Sequence, residues 1–373
     1  MSATLVVDLG TSTSAAMVVS DHGEWLVPDP HSASRRWRTA IHWDGNAWAA
    51  GALAEQRRAL DAGGFAAAFK RSLEADEPML LGRRHLRPTE QVAEFLTAMR
   101  VQAQRQHGAI DRALLAVPAA YLPDDPRRSR MLAAAEAAGL GAAELVPDGV
   151  AAAAAPITGV AFAVDDLVLV YDLGATFEAS VVRIGAATPE LVAHGSILDW
   201  GPADQIGTDA LRSPVVDHAT ECARRVLAGA GIEPTGLAAV LPVGGGCLIP
   251  SLDSALQRDF GVAVRHTADR DIAVVAGAAQ WLRGTGPRTV PATPTPGRIV
   301  PVSFPIPGTG AHLVRWLVKP EQSYGEGTTL ARIRLPSGAI WDLIASSGGT
   351  LDQILVTDGA PVKTGDWLAL ARH

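Results

Sequence analysis

The stretch Thr4-Leu5-Val6-Val7-Asp8-Leu9-Gly10-Thr11-Ser12 decides how this chain is read. Apolar residues end in an aspartate, a glycine and two hydroxyls, and a second apolar run, Ala15-Ala16-Met17-Val18-Val19, follows. That order predicts a β-hairpin with a tight polar turn. A turn at Gly10 would aim backbone N–H groups and hydroxyls at a phosphate chain, as an anion-binding nest does. An aspartate at a strand end suits the water shell of Mg²⁺, which keeps water and takes few carboxylates. Alone, the motif is equally a plain hairpin turn. Its echo, Tyr171-Asp172-Leu173-Gly174-Ala175-Thr176, between the apolar runs LVLVYDL and VVRIG, favours the phosphate reading.

Outward from these hairpins, helical and strand-like stretches alternate. Residues 88–107 carry helical periodicity, with Thr89 as the predicted N-cap. The strand ALLAVP leads to a second helix that ends at Gly139 and Gly141. The second hairpin is followed by a helix (215–231), a strand (238–244) and another helix (251–261). One unit used twice predicts a duplicated α/β fold with its site between the halves. Leu241-Pro242-Val243-Gly244-Gly245-Gly246 adds a third element. Successive glycines after a buried strand let a ligand approach the backbone; the other reading is a flexible turn.

Composition narrows the classes. The 373 residues are 48% hydrophobic, enough for two or three domains, and the net charge of −7 carries no nucleic-acid footprint. Cys222 and Cys247 form no CxxC pair, which argues against a disulfide framework and for a reducing cytoplasm. The ten histidines show no HExxH spacing, and His31 and His42 read as loop or strand residues. The N-terminus runs directly into a strand, and the longest apolar run, Gly149 to Val164, is broken by Pro156 and Gly159. A soluble, cytoplasmic chain with no membrane or nucleic-acid partner is expected.

Residues 287–309, rich in Pro, Thr and Gly, read as a linker. The tail beyond repeats itself at an offset of 38 residues: Leu317 matches Leu355, Gly327 matches Gly365, and Leu330 matches Leu368. Two related halves of short strands imply a small two-fold sandwich.

Taken together, the motifs resemble the nucleotide-binding domain of the seventy-kilodalton heat-shock chaperones, within the actin and sugar-kinase superfamily. Asp8 to Ser12 resembles the first phosphate loop, and Asp172 to Thr176, with Phe177-Glu178, the second. Gly51-Ala52-Leu53-Ala54 is similar to a family strand end. Phe69-Lys70-Arg71 is similar to the family's Lys-Arg pair, whose lysine reaches the γ-phosphate. Val117-Pro118-Ala119 with Ala137-Ala138-Gly139-Leu140 resembles a helix segment, Val243 to Gly246 with Ile249-Pro250 the adenosine loop, and Asp271 to Ala279 the closing helix.

The resemblance has departures. The second phosphate loop is one residue short, and Leu248 stands where the family has an arginine that stacks on adenine. Only 72 residues separate Asp172 from Gly244, so the subdomain that closes over adenine is missing. Asp148 replaces a glutamate with a shorter reach. The tail resembles a biotinyl/lipoyl carrier domain, a barrel-sandwich hybrid, but Ser337 stands where the modifiable lysine belongs. No covalent biotin or lipoate is expected. Lys319 and Lys363 read as surface charges, and Trp316, Trp341 and Trp367 as core or interface anchors.

The expected fold is therefore α/β: a duplicated actin-like, ribonuclease-H-like ATPase domain over residues 1–286, plus a small all-β barrel-sandwich hybrid over 310–373. Its lobes are placed at about 1–165 and 166–270, with a closing helix at 271–283. The resemblance implies ATP or ADP with Mg²⁺, with Asp8, Lys70, Asp148 and Asp172 as catalytic residues and Asp8 and Asp172 on the metal through water. It assigns the nucleotide to Gly10, Thr11, Ser12, Gly174, Ala175, Thr176, Gly244, Gly245, Gly246, Leu248 and Asp271. The expected function is a chaperone-like Mg-dependent ATPase whose lobe motion is read by the tail, which would meet a protein partner. A pseudo-ATPase scaffold that binds a partner protein or biosynthetic enzyme is the alternative. Lys70 read alone is also an ordinary surface lysine, and a sugar kinase is a third, weaker option.

Overall fold

The chain begins with β1 (Ala3–Asp8), which pairs antiparallel with β2 (Thr13–Ser20); β2 pairs in turn with β3 (Gly23–Leu26). The computed structural model describes residues 3–197, 212–249, 252–284, 289–290, 299–304, 306, 310–345, 348–364, 366 and 368–372. They fall into two units, Met1–Pro291 and Ala292–His373.

In the first unit, helix α1 (Pro88–His107) leads to β4 (Ile110–Val117), α2 (Pro126–Ala137), β5 (Ala142–Pro147) and α3 (Asp148–Ala154). The span of α1 matches its periodicity, but its cap does not. Arg87 is the N-cap and Pro88 takes the first turn, where its preset φ costs nothing. Thr89 instead donates its N–H and its hydroxyl to Asp76, both at 2.8 Å. Gly51, expected in a strand end, follows the strand Trp48–Ala50 with φ 65° and precedes the helix Ala52–Arg58. Helix α2 ends as expected: Gly139 has φ 76°, and the Leu140 N–H reaches back to the Ala135 carbonyl. The sheet order is β5-β4-β1-β2-β3, with β1, β4 and β5 parallel.

The second hairpin opens a parallel case. Strand β6 (Leu167–Leu173) pairs antiparallel with β7 (Phe177–Arg183), which pairs with β8 (Glu190–Ile197). Then come α4 (Arg212–Gly229), β9 (Ala239–Val243), α5 (Leu252–Phe260) and α6 (Ala273–Leu282). The order is β8-β7-β6-β9, with β9 parallel to β6. A parallel bridge from Val240 to Val264 begins a fifth position. Strand for strand, this order repeats that of the first sheet.

Two helices tie the sheets together. Helix α3 follows the first sheet yet packs on β6 and β7, and α6 follows the second yet packs on β1, β2 and β4. They share one apolar core that holds Val6 and Leu114 from one sheet and Val168 and Leu241 from the other. Their alanines permit the approach, and at Gly277 even a methyl group would lie 1.8 Å from the Ala151 carbonyl oxygen. The apolar run around Gly149 is thus an interior helix. Among the described residues no helix is long and apolar enough to cross a membrane.

The second unit contains β10 (Ile299–Val302), β11 (Ala311–Trp316), β12 (Ser323–Tyr324), β13 (Thr329–Arg334), β14 (Ile340–Ile344), β15 (Gly349–Ile354), β16 (Pro361–Val362) and β17 (Ala369–Arg372). Two four-stranded sheets result, β10-β17-β15-β12 and β14-β13-β11-β16. The 38-residue offset carries β11 onto β15 and β12 onto β16, so the sequence repeat is a structural one. Each sheet draws its last strand, β12 or β16, from the other half. The predicted linker needs correction at both ends. Thr289–Val290 pairs with Ile157–Thr158, and β10 pairs along its length with β17. Pro301 is tolerated there because β10 lies at a sheet edge, where a missing N–H breaks no ladder. Ser337 is exposed in the turn between β13 and β14. Trp316 is half-buried and donates to the Val356 carbonyl (2.9 Å), whereas Trp341 is half exposed; Trp367 and Gly365 lie outside the described residues.

Candidate functional site

In each of the two main sheets of the first unit an inner strand carries an aspartate at its C-terminal end, Asp8 as the last residue of β1 and Asp172 as the last but one of β6. Open α/β sheets bind ligands beyond the carboxyl ends of their strands, where the order reverses. A cavity of about 260 Å³ lies there, and Asp8 and Asp172 both line it. Gly10, Thr11, Ser12, Lys70, Asp148, Gly174, Ala175, Thr176, Gly244, Gly245 and Asp271 share that lining. Gly246 does not, and the side chain of Leu248 lies outside the described residues.

The turns are shaped by sterics as much as by ligand access. A side chain at Gly10 would meet the Thr13 carbonyl oxygen at 2.2 Å. The second turn is shorter: Gly174 donates its N–H to the Thr176 carbonyl (2.9 Å), and Phe177 already pairs with Leu173. The three glycines after β9 differ in what they do. A methyl group on Gly244 would lie 2.5 Å from the Asp172 carboxylate, and one on Gly246 would lie 2.4 Å from Leu173. Both are glycine so that the loop can pack on β6. Gly245 has nothing within 4 Å of its Cβ position, so it alone of the three leaves open space for a ligand.

Lys70 rides on a 3₁₀ turn, Phe69–Leu73, pinned by the buried Phe69 and Leu73. It is 7% exposed, which disposes of the surface-lysine reading, and its ammonium donates to the Leu9 carbonyl. Asp148 opens α3; it is buried, and its Oδ1 has no hydrogen-bond partner. Removal from water pushes the Asp148 carboxyl well up; Lys70 opposes the shift, while Asp8, Glu178 and Asp172 add to it. Burial and then Asp8 and Glu178 raise Asp172 to about 7. Burial likewise raises Asp8. For Lys70 burial pulls downward, but Asp148, Tyr121, Asp8 and Glu178 together outweigh it and the net shift is upward.

Of the charges that act on Lys70, the acids Asp8, Asp148 and Glu178 outnumber it, while the arginines of the lining are engaged with Thr13, the Ala175 carbonyl, Asp125 and the Cys247 carbonyl. Hard oxygen donors and an orphaned carboxylate oxygen fit a divalent cation such as Mg²⁺. Among the described residues no three His, Cys, Asp or Glu side chains converge to hold a bare ion. The fit is therefore to an ion that keeps its water. The open Gly245 and the turn at Gly10 fit a chain of phosphates.

The lining also holds residues to which the sequence reading gave no role, among them Arg36, Tyr121, Arg127, Glu178 and Arg270. Glu178 was quoted within a motif and given no role, although its place opposite Asp172 across the hairpin was a usable signal. Both its oxygens accept the Ala119 N–H (3.2 and 3.0 Å), and Ser180 donates to it (3.2 Å). Arg36 donates to Thr13, and Arg127 lies over the Tyr121 ring at 4.8 Å. Arg127 stands, with Arg128, in the segment from Val117 to Leu140 that resembles the family; no local pattern marks Arg36.

The family described as Hsp70 protein matches residues 74–196, a stretch that runs from Glu74, just after the turn that carries Lys70, to Ser196, the last residue but one of β8. Chaperone protein HscA homolog of Azotobacter vinelandii is 27% identical over 250 residues, covering 52% of this chain and 40% of that protein. Chaperone protein HscA of Pectobacterium carotovorum is 25% identical over 253 residues with the same coverage. The HscA homolog of Pseudoalteromonas atlantica is 35% identical over 114 residues, covering 30% of this chain and 18% of its own. Within the first unit, residues 74–196 are Hsp70-like in sequence. The chain spans about 40% of the length of the first curated relatives it matches. The Asp8 turn and the glycine loop lie outside residues 74–196 and meet the Hsp70-like segment at the cavity.

Proposed function

We propose that Met1–Pro291 binds ATP with Mg²⁺ in the cavity between Asp8 and Asp172 and hydrolyses it, as a shortened chaperone-like ATPase of the two-lobed actin-like class. The observation that carries this reading is the convergence of both aspartate turns, Gly245, Lys70 and the unpartnered Asp148 on one cavity. A bound magnesium ion would supply charge neutralisation on the phosphates. Asp8 and Asp172 would hold its water shell. Lys70, charged and buried, would stabilise negative charge on the transferred phosphoryl group. The free Oδ1 of Asp148 would accept a hydrogen bond from the attacking water and orient it. Glu178, fixed by Ala119 and Ser180, would hold β7 against the segment after β4.

The tail, Ala292–His373, would act as a non-acylated biotinyl/lipoyl-like adaptor for a protein partner. The exposed Ser337 supports this, since a hydroxyl cannot form the amide that carries biotin or lipoate. The short turn at Gly174 favours a second reading, a nucleotide-binding scaffold without turnover. Phosphate release from ATP tests both. Magnesium-dependent release that disappears in Lys70→Ala and Asp172→Asn supports the ATPase. Binding of Mg·ATP without release selects the scaffold, and absence of binding defeats both.

A further inference from the structure

We propose that the hydroxyl of Tyr121 donates a hydrogen bond to the terminal phosphoryl group of the bound nucleotide, beside Lys70; this rests on the nucleotide reading above. Tyr121 lines the cavity and is 6% exposed. It follows β4 in a tight turn closed by its own N–H on the Pro118 carbonyl (2.9 Å). The same turn is held to β7 through the Ala119 N–H and the Glu178 carboxylate. The backbone that carries the phenol is thus anchored from both sheets.

The ring is fixed as well. The Arg127 guanidinium lies 4.8 Å from its centroid and is itself clamped by the two oxygens of Asp125 (2.9 and 2.5 Å). A cation over the face of a phenol draws on its π-electrons, which makes the hydroxyl a stronger donor. That hydroxyl has no hydrogen-bond partner among the described residues. Polar groups of buried residues are ordinarily paired, so a spare donor on a cavity wall marks where a ligand acceptor belongs. Burial holds the phenol proton in place against the pull of Lys70 and Arg127, and the group meets a ligand as a donor.

The place of this donor is set by its charged neighbours. They are Lys70, Arg127, Asp148 and Asp125, and the nucleotide reading puts Lys70 on the transferred phosphoryl group and Asp148 on the attacking water. Thr11, Ser12 and Thr176 bring hydroxyls to the cavity on the two aspartate turns, whereas Tyr121 brings one from the loop after β4. An ammonium supplies a point charge, and a phenol adds one aimed hydrogen bond to the same anion.

The test is calorimetric titration of the full chain with Mg·ADP and with the magnesium complex of a β,γ-imido analogue of ATP, comparing wild type with Tyr121→Phe. The substitution removes one oxygen and keeps the ring under Arg127. Affinity for the triphosphate analogue should fall about ten- to hundredfold, the value of a hydrogen bond to a charged acceptor. Affinity for Mg·ADP, which lacks the terminal phosphoryl group, should stay within about twofold, which also shows that the variant is folded. An equal fall for both ligands, or a fall for neither, would overturn the proposal and leave the nucleotide reading intact. A wild type that binds neither probe ends that reading and this inference together.

Discussion

The carboxylate of Glu178 on β7 accepts the backbone N–H of Ala119, at 3.2 and 3.0 Å from its two oxygens, and so joins the second sheet to the loop that leaves the first. Burial raises the Glu178 carboxyl to about 7, against the lowering effect of that hydrogen bond, of Ser180 and of Lys70. The folded chain therefore keeps this proton to a higher pH than the unfolded chain, where a glutamate titrates near 4.5. Stability from this group is fully present below about 4.5 and declines as pH rises through about 7. Melting temperature should fall over that window in nucleotide-free, magnesium-free buffer. Glu178→Gln, which cannot ionise, should flatten the decline; an unaltered slope would show that Glu178 is not its source.

Gly245→Ala and Gly246→Ala should separate the two uses of the glycine loop. The first adds a methyl group to open space and should move stability by no more than about 0.5 kcal/mol. Its effect should appear as weaker Mg·ATP binding. The second drives a methyl group into Leu173 and should cost about 1–3 kcal/mol by overpacking. Urea denaturation and calorimetry on the two variants check both halves.

Gly277→Ala sets helix propensity against packing. Alanine is favoured in a helix by about 1 kcal/mol. The new methyl group would, however, overlap the Ala151 carbonyl oxygen at 1.8 Å, so α3 and α6 would have to separate. Packing should win, with a net loss of about 2 kcal/mol in a urea melt. A neutral or stabilised variant would mean that the helices part easily.

Lys70→Ala should be costly even without nucleotide. It strips the one buried ammonium from a cavity holding Asp8, Asp148, Asp172 and Glu178. Removing one partner from a buried charge cluster typically costs about 3–5 kcal/mol. Millimolar Mg²⁺ should restore part of that loss by replacing the missing charge. Lowering the pH toward 5 should restore part as well, because the acids then take up protons.

The two aspartate turns were legible as hairpins because their signals are local. Asp8-Leu9-Gly10 and Asp172-Leu173-Gly174 each state a strand end and a turn within a few residues, and repetition removed the ambiguity of either alone. Arg36 and Arg270 reach the same cavity from segments far apart in the chain, and nothing near them in sequence declares the meeting. Asp76 escaped notice for the same reason: it serves the first turn of α1 from outside the helix. The strand Ile299–Val302 was hidden by composition, because prolines and threonines around it read as linker while its pairing with Ala369–Arg372 is decided at the far end of the tail. Gly246 was assigned to a ligand when its neighbour Leu173 is what excludes a side chain.

The borrowed edge strands of the tail have a consequence for how that module is made. Because Ser323–Tyr324 completes one sheet and Pro361–Val362 the other, neither 38-residue half owns a finished set of backbone pairings. A fragment ending between the halves should stay unstructured alone and fold on meeting its complement. Two identical copies of one half should close on each other about a dyad. The tandem module is then a fused dimer of a short peptide, and cutting the hairpin at Ser337 would turn its folding into a bimolecular reaction.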